Sequence, residues 1–184
     1  LSMSSNTPFF NYELPAEKIA QQPAAKTGSR SDAHLLKVSA SGAEVEGRVF
    51  VELPQILQSG DLIVCNNSKV FPCRFFSQLP NASQIEVLLL DMLDRQSEST
   101  ERWTVIGKPL KKLKLGLEFD LAEGLSAEVV ARADDGRSVE LQLHSKVGSV
   151  SEAIDRNGRV PIPPYIREGR SAEFDKEYYQ TVFA

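Results

Sequence analysis

The middle of the chain alternates apolar and polar residues with a period of two, and this pattern predicts successive β-strands over residues 74–147. Its clearest hairpin has Asp135 and Gly136 as a favourable two-residue turn. After that turn, Val139, Leu141 and Leu143 alternate with polar residues, so they should face a core. The same alternation predicts strands at residues 85–90, 102–106, 117–121 and 126–133. We therefore expect an all-β block in the centre of the sequence.

Shorter mixed elements precede this block. Pro15 stands at the first position of a predicted short helix, where its missing N–H costs little, and Pro23 ends that helix. Pro54 opens a second helix in the same way, and Gly60 is placed to stop it in a left-handed cap. Between the two helices, we predict paired strands at residues 35–38 and 48–51.

A helix and a proline-rich segment follow the block. Ser149 and Glu152 have the spacing of a capping box, and Gly158 can stop the helix that they begin. The prolines within residues 161–164 favour an extended edge or loop, because each removes a donor and restricts the preceding residue. Residues 173–182 are predicted to form a last helix.

A polar cluster follows the apolar run of residues 62–65, which we predict to be a buried strand. Amides, a hydroxyl and an ammonium group can donate and accept hydrogen bonds toward a polar ligand. The alternative is a turn in which the Asn and Ser side chains bond their own backbone. Both interpretations stay open for Asn66, Asn67, Ser68 and Lys69.

These elements predict a mixed α/β fold: a split α/β base domain with an inserted small antiparallel β-barrel. The boundaries follow the change of pattern. Residues 1–73 should form the first part of the base domain, residues 74–148 the barrel, and residues 149–184 the return to the base domain.

Composition narrows the class of protein. The net charge of −4 argues against a general nucleic-acid-coating protein, so any RNA contact must come from local patches. There is neither an apolar run long enough to cross a bilayer nor a secretory signal, so we expect a cytoplasmic protein without membrane contact. Cys65 and Cys73 are interpreted as buried thiols, and no metal is implied. His144 is placed on the polar face of its strand, and His34 has no partner visible in the sequence.

Two basic groups are candidates for such local patches. An ordinary solvated surface is the alternative for both. The first group is Lys108, Lys111, Lys112 and Lys114, and the second is Arg156, Arg159, Arg167 and Arg170.

Five ordered segments carry a family resemblance. Residues 66–74 resemble an Asn-Asp-Thr-Arg-Val-Ile-Pro-Ala-Arg motif, and residues 85–90 resemble a Val-Glu-Val-Leu-Leu-Leu strand. Residues 160–166 and 179–184 are similar to Met-Pro-Leu-Pro-Pro-Tyr-Ile and Tyr-Gln-Thr-Val-Tyr-Ala segments, and residues 10–23 to an amino-terminal pattern. All belong to the S-adenosylmethionine:tRNA ribosyltransferase-isomerases. The resemblance also implies the split base domain with its inserted barrel.

The resemblance implies a transferase of queuosine biosynthesis. Such an enzyme moves the ribosyl group of S-adenosylmethionine onto 7-aminomethyl-7-deazaguanine at the tRNA wobble position and isomerises it to epoxyqueuosine. S-adenosylmethionine is then a substrate, tRNA is the partner, and no further cofactor is expected. We expect a monomer. The chemistry needs a base near the sulfonium, donors for developing charge and a surface for RNA phosphates.

The resemblance suggests roles for several residues, and a structural role stays open for each. Tyr165 and Tyr179 could face a sulfonium or stack on a base, and Asn66 and Gln180 could read polar edges. Lys69 and Arg74 could hold an anion, and the four lysines could contact the tRNA backbone. The catalytic residues are not assigned.

The resemblance covers about the first half of a typical family member. Nothing here corresponds to the later family segment Ala-Pro-Thr-Ala-Gly-Leu-His-Phe, so this chain alone is expected to be inactive. It is either a fragment of a longer enzyme or a short, vestigial relative acting as a non-catalytic tRNA-binding or structural module. Several positions also depart from the family pattern, and the lysines among them lose the planar fork of arginine. These positions are His34, Asn67, Ser68, Lys69 and Lys108.

Overall fold

The chain divides into two units. The computed structural model describes residues 12–24, 28–133 and 136–183. Residues 1–63 and 163–170 form one unit, here called the hairpin unit, and residues 64–162 and 171–184 form the other, the barrel unit. The boundaries predicted for the base domain and the inserted barrel stay predictions.

The barrel unit contains six strands: β3 (Arg74–Gln78), β4 (Gln84–Ser97), β5 (Thr100–Lys108), β6 (Glu118–Ala122), β7 (Leu125–Arg132) and β8 (Val139–Ser145). They form an antiparallel sheet in the order β3-β4-β5-β8-β7-β6. The edge strands β3 and β6 lie against each other, and the Ser77 hydroxyl donates to the Leu121 carbonyl oxygen at 2.6 Å. The sheet therefore curls into a small barrel, and the predicted fold class is confirmed.

The barrel interior is built from alternate positions along these strands. The side chains of Val139, Leu141 and Leu143 are fully buried, as the period-two pattern predicts, while His144 is exposed. Register shifts between Leu89 and Asp91, and twice more beyond them, interrupt the pairing of β4 with β5. Such bulges bend a strand, and they allow β4 to extend well past its predicted end. The predicted turn residue Asp135 lies outside the described residues.

Helix α2 (Val150–Asn157) packs on the barrel through Val150, Ala153 and Ile154, which are buried. The capping box is confirmed: the Glu152 N–H donates to Ser149 Oγ at 3.1 Å, and the Ser149 N–H donates to the Glu152 carboxylate at 2.9 Å. These bonds satisfy donors that the first helical turn leaves free.

The hairpin unit contains strands β1 (His34–Val38) and β2 (Val45–Val49), which pair antiparallel. The second strand begins three residues before its predicted start, and a 3-10 turn at Phe50–Glu52 replaces its predicted end. Helix α1 (Leu53–Ile56) has Pro54 in its first turn, as expected, but it ends before Gly60 can cap it because Leu57 is extended. The predicted helix after Pro15 is only a 3-10 turn, Ala16–Lys18.

Two further predictions are wrong: residues 62–65 are not a buried strand, and Cys65 is not a buried thiol. Residues 61–73 form neither helix nor strand, and Leu62 and Val64 are each 87% exposed rather than buried. Cys65 is exposed with them, whereas Cys73 is buried as predicted. An apolar run signals a tendency to be buried, but a strand also needs a partner, and no described strand pairs with this run. The last predicted helix is shortened to α3 (Asp175–Tyr178).

None of the helices in the described ranges is both long and apolar enough to cross a membrane. Within those same ranges, no three His, Cys, Asp or Glu side chains converge as a metal site would require.

Candidate functional site

Arg74 lies at the start of β3, where several contacts of the barrel unit meet. Its Nε donates to Glu86 Oε1 at 2.7 Å, and the two side chains are only 16% and 28% exposed. Its backbone forms a two-way bridge with Arg159, with N···O distances of 3.1 and 2.9 Å. Arg74 therefore has a carboxylate partner within the chain, and its predicted anion-binding role stays a prediction.

Gly158, the residue before Arg159, allows the backbone of Arg159 to lie beside Arg74. Gly158 lies so close to the carbonyl oxygen of Pro72 that a Cβ atom there would overlap it. Its φ is −72°, so the space rather than the backbone conformation requires glycine. The exposed Arg159 guanidinium lies 5.2 Å from the centre of the Phe76 ring, and it forms no ion pair with the described part of the chain.

Phe76 points outward from the barrel, although its neighbour Phe75 is buried in the core. The ring is 54% exposed, and the Arg74 guanidinium lies 5.0 Å from its centre. The strand register places Phe76 opposite Glu86, and Glu86 opposite Lys108, so these three side chains form a row across β3, β4 and β5. A cleft of about 590 Å³ follows this row and is also lined by Gln78 and Gln84.

The lysine loop, residues 108–114, starts at the last residue of β5 and is fixed by an apolar anchor. Leu113 is fully buried and occupies the space beside Gly107, where a Cβ atom would crowd it. Arg132 Nη1 donates to the Leu113 carbonyl oxygen at 2.7 Å. The anchor holds the four predicted lysines at the surface: Lys108, Lys111 and Lys114 are exposed and Lys112 is half-buried.

These lysines form no ion pair with any residue that the structure describes. Lys112 Nζ instead donates to the Gln84 carbonyl oxygen at 3.2 Å, at the edge of the cleft. Unpaired ammonium groups repel each other, and solvation or an anionic ligand offsets that repulsion. The loop thus presents a preformed basic surface.

The polar segment before β3 is held by its own backbone and by Gln180. Asn66 Oδ1 accepts from the Ser68 N–H at 2.8 Å, which is the turn interpretation offered by the sequence. Gln180 Oε1 accepts from the Val70 N–H at 2.8 Å, and Gln180 Nε2 donates to the Val70 carbonyl oxygen. Gln180 thus pairs with Val70 much as a neighbouring strand would, next to the exposed Lys69.

The two tyrosines belong to different units. Tyr165, in the hairpin unit, is 62% exposed, and its carbonyl oxygen accepts from Gln21 Nε2 at 3.2 Å. Gln21 Oε1 also accepts from the Arg167 N–H at 2.7 Å, so this glutamine joins the unit's two chain segments. Tyr179, in the barrel unit, follows α3 and is 38% exposed. Both rings have surface available, and their roles stay predictions.

Comparison with known proteins bears on this arrangement. The family model described as "Queuosine biosynthesis protein" matches residues 7–184. The chain belongs to the queuosine biosynthesis protein family. An S-adenosylmethionine:tRNA ribosyltransferase-isomerase of Natranaerobius thermophilus is 39% identical over 95% of this chain, and one of Geobacter metallireducens is 38% identical over the same share. The resemblance inferred from the five segments is confirmed.

The match covers only part of the length of these family members. The chain spans about half the length of the curated relatives it matches, 48% for each of the two. A solved structure of an S-adenosylmethionine tRNA ribosyltransferase from Thermotoga maritima is 32% identical, with 81% of this chain and 48% of that chain covered and a TM-score of 0.37.

Two features of this queuosine-family chain were not found from the sequence. Phe76 was missed because alternation shows that a residue faces outward but not what lies beside it. Arg159 was noted only as one of four arginines, since its pairing with Arg74 spans 85 positions of sequence. The sequence does hold one signal for Phe76: it follows Phe75 directly on a strand, so one of the two rings must face outward.

Proposed function

We propose that the chain is part of an S-adenosylmethionine-dependent tRNA ribosyltransferase-isomerase of queuosine biosynthesis. That enzyme transfers the ribosyl group of S-adenosylmethionine to 7-aminomethyl-7-deazaguanine at the wobble position and isomerises it to epoxyqueuosine, with release of adenine and methionine. S-adenosylmethionine acts as a substrate, and the proposal includes no other cofactor. A cytoplasmic, monomeric protein is part of the same proposal.

One observation carries this proposal: relatives that bear the enzyme's name match 95% of the chain at 38–39% identity. Identity at this level over so much of the chain supports a shared fold and a shared use of its surfaces. The substrates and the reaction belong to the whole protein, so they are carried to this chain as a proposal.

Within this proposal, the lysine loop binds tRNA phosphates. Its ammonium groups have no internal carboxylate partner among the described residues, and the buried Leu113 holds them in place before any ligand arrives. A preformed cationic surface on a chain of net charge −4 favours a polyanion, because phosphates release counterions when lysines replace them.

The segment of Asn66 and Lys69 has a different role in the proposal. Gln180 fixes Val70 from both sides, so it positions this segment rather than reading a substrate edge with its own amide. Lys69 stays exposed and can meet an anionic group of the tRNA or the carboxylate of S-adenosylmethionine. Tyr165 and Tyr179 remain candidates for stacking on a base or facing the sulfonium.

Adenine release tests the reaction. The protein is expressed from its native open reading frame, read to its own stop codon, and is mixed with S-adenosylmethionine and tRNA that carries 7-aminomethyl-7-deazaguanine. We expect adenine and epoxyqueuosine from this protein, and tRNA binding without adenine release from residues 1–184 alone. Binding without release from the native product would favour the non-catalytic module instead.

Salt-dependent binding tests the lysine loop. Lys111→Ala with Lys112→Ala should make the slope of log affinity against log salt shallower by about one to two, since up to about 0.9 counterions are released per phosphate contact. The matched control is Lys18→Ala with Lys37→Ala, which removes the same charge from the hairpin unit and should leave the slope unchanged. Equal slopes in the two double variants would mean that the lysine loop is ordinary solvated surface.

A further inference from the structure

Phe76 is an outward-facing aromatic ring in a cationic setting. More than half of its surface is exposed, and the guanidinium groups of Arg74 and Arg159 lie 5.0 and 5.2 Å from the ring centre. Two cations near one ring form favourable cation–π contacts. The exposed part of the ring remains available to a flat partner.

The charge around the ring is unbalanced toward positive. Glu86 is the carboxylate that lines the cleft, and Arg74 pairs with it at 2.7 Å. Lys108, in the same row, and Arg159 have no ion-pair partner in the described part of the chain. Uncompensated positive charge therefore lies in the cleft, at Lys108, and beside the Phe76 ring, at Arg159.

A hydrogen-bonding group also opens into this cleft. The Gln84 side chain lines it and is exposed, and its amide makes no hydrogen bond with residues that the structure describes. An amide can both donate to and accept from the edge of a base. The cleft thus combines a ring, the Lys108 ammonium group and a polar amide, and Arg159 lies beside the ring.

We infer that this face binds one unstacked RNA nucleotide, with Phe76 stacking on its base and Arg159 and Lys108 binding the flanking phosphates. The inference rests on the proposed function in taking the RNA to be tRNA. Aromatic rings bind bases that are splayed out of a helix, since paired bases have no free face. Gln84 contacts the edge of the stacked base.

The charge favours RNA over S-adenosylmethionine, whose adenine could also stack. S-adenosylmethionine carries a sulfonium and an ammonium against one carboxylate, so its net charge is positive and the cleft repels it. An RNA nucleotide brings a negative phosphate, which the same cations attract. A single strand that follows a basic groove and stacks on aromatic rings is a general mode of recognition.

The test uses a short single-stranded RNA that carries one 2-aminopurine, titrated with the full chain. Stacking of that base on Phe76 should quench its fluorescence. Phe76→Ala should weaken binding by about 5- to 150-fold, the factor for a base–aromatic stack of 1–3 kcal/mol, and should abolish the quenching. Phe76→Trp should restore both, because indole also stacks.

Two further variants separate the contributions. Leu115→Ala removes another exposed apolar side chain of the barrel unit, 68% exposed, and should change neither readout. Arg159→Gln should keep the quenching at saturation but make the salt slope shallower by about 0.7, as expected for one lost phosphate contact on a single strand. Thermal unfolding of each variant verifies that the barrel is intact.

Unchanged affinity and quenching in Phe76→Ala would overturn the inference. Recovery of the 2-aminopurine fluorescence when S-adenosylmethionine is added to the complex of RNA and wild-type chain would also overturn it, because the ring would then bind the other ligand. Adenine release is measured separately on the native protein, so failure of the stacking site is distinguishable from failure of the proposed reaction.

Discussion

In the barrel unit, Val87, Val105, Leu141 and Leu143 are fully buried within one continuous core, whereas Gly169 is the only buried residue among the described residues of the hairpin unit. Apolar side chains such as Leu36, at 65% exposure, lie at the surface of the hairpin unit. A two-stranded hairpin alone is at best marginally stable, but six strands that enclose a core are not. The stability of the chain should therefore come from the barrel unit.

The largest expected effect compares one leucine from each unit. Leu141→Ala should lower the free energy of unfolding by about 2–5 kcal/mol, because it leaves a cavity in a closed core. Leu36→Ala should change it by less than about 0.5 kcal/mol, as is usual for exposed positions. Urea unfolding followed by the fluorescence of Trp103, which lies on β5, measures both. Equal losses would mean that the hairpin unit has a core of its own.

A second pair compares glycines. Gly158→Ala should lower the free energy of unfolding by about 1–3 kcal/mol, the range for overpacking. The reason is that the added methyl group overlaps the Pro72 carbonyl oxygen. Gly47→Ala in β2 meets no atom within 4 Å and should be almost neutral. Thermal unfolding compares the two. A neutral Gly158→Ala would show that the contact with Pro72 relaxes easily.

A third pair compares carboxylates. Glu101 is 1% exposed, accepting from Arg95 Nε at 2.8 Å and from Trp103 Nε1 at 2.9 Å. Glu101→Gln replaces one acceptor by a donor. It should lower the free energy of unfolding by about 1–3 kcal/mol, the penalty for an unsatisfied buried group. Glu46→Gln, at an exposed ion pair of the hairpin unit, should have little effect. A shift of the Trp103 emission in Glu101→Gln alone would support this account.

The smallest effect, on reactivity rather than stability, concerns the two thiols. Burial raises the pKa of the Cys73 thiol, so less of the reactive thiolate forms at a given pH. Cys65 is exposed. Iodoacetamide should therefore label Cys65 in the folded chain and Cys73 only after unfolding, as peptide mass spectrometry can show. Rapid labelling that persists in Cys65→Ser would contradict the burial of Cys73.

The same contrast explains which sequence predictions succeeded. Strands β4 to β8 follow one another along the chain and pair mostly with neighbours, so local alternation and the capping box at Ser149 were enough to predict them. The strand prediction for residues 62–65 failed because their apolar character says nothing about whether a partner strand exists. The helix cap predicted at Gly60 failed because the backbone is already extended at Leu57.

The candidate site was predictable only in part. The lysine loop could be found because its charges are adjacent in sequence, although its anchor at Leu113 could not. Gln180 was selected by resemblance, but its pairing with Val70 joins residues 110 positions apart and has no local signal. The contact of Arg159 with Phe76 depends on the same kind of distant pairing.

Covalent labelling of lysines most directly tests the central claim, that the barrel unit carries the RNA-binding surface. The chain is treated with an amine-reactive ester in the presence and absence of tRNA, and the modified peptides are quantified by mass spectrometry. The account predicts that tRNA protects Lys108, Lys111 and Lys114 while Lys18 and Lys37 of the hairpin unit remain labelled. Protection of Lys18 and Lys37 with continued labelling of the lysine loop would contradict it.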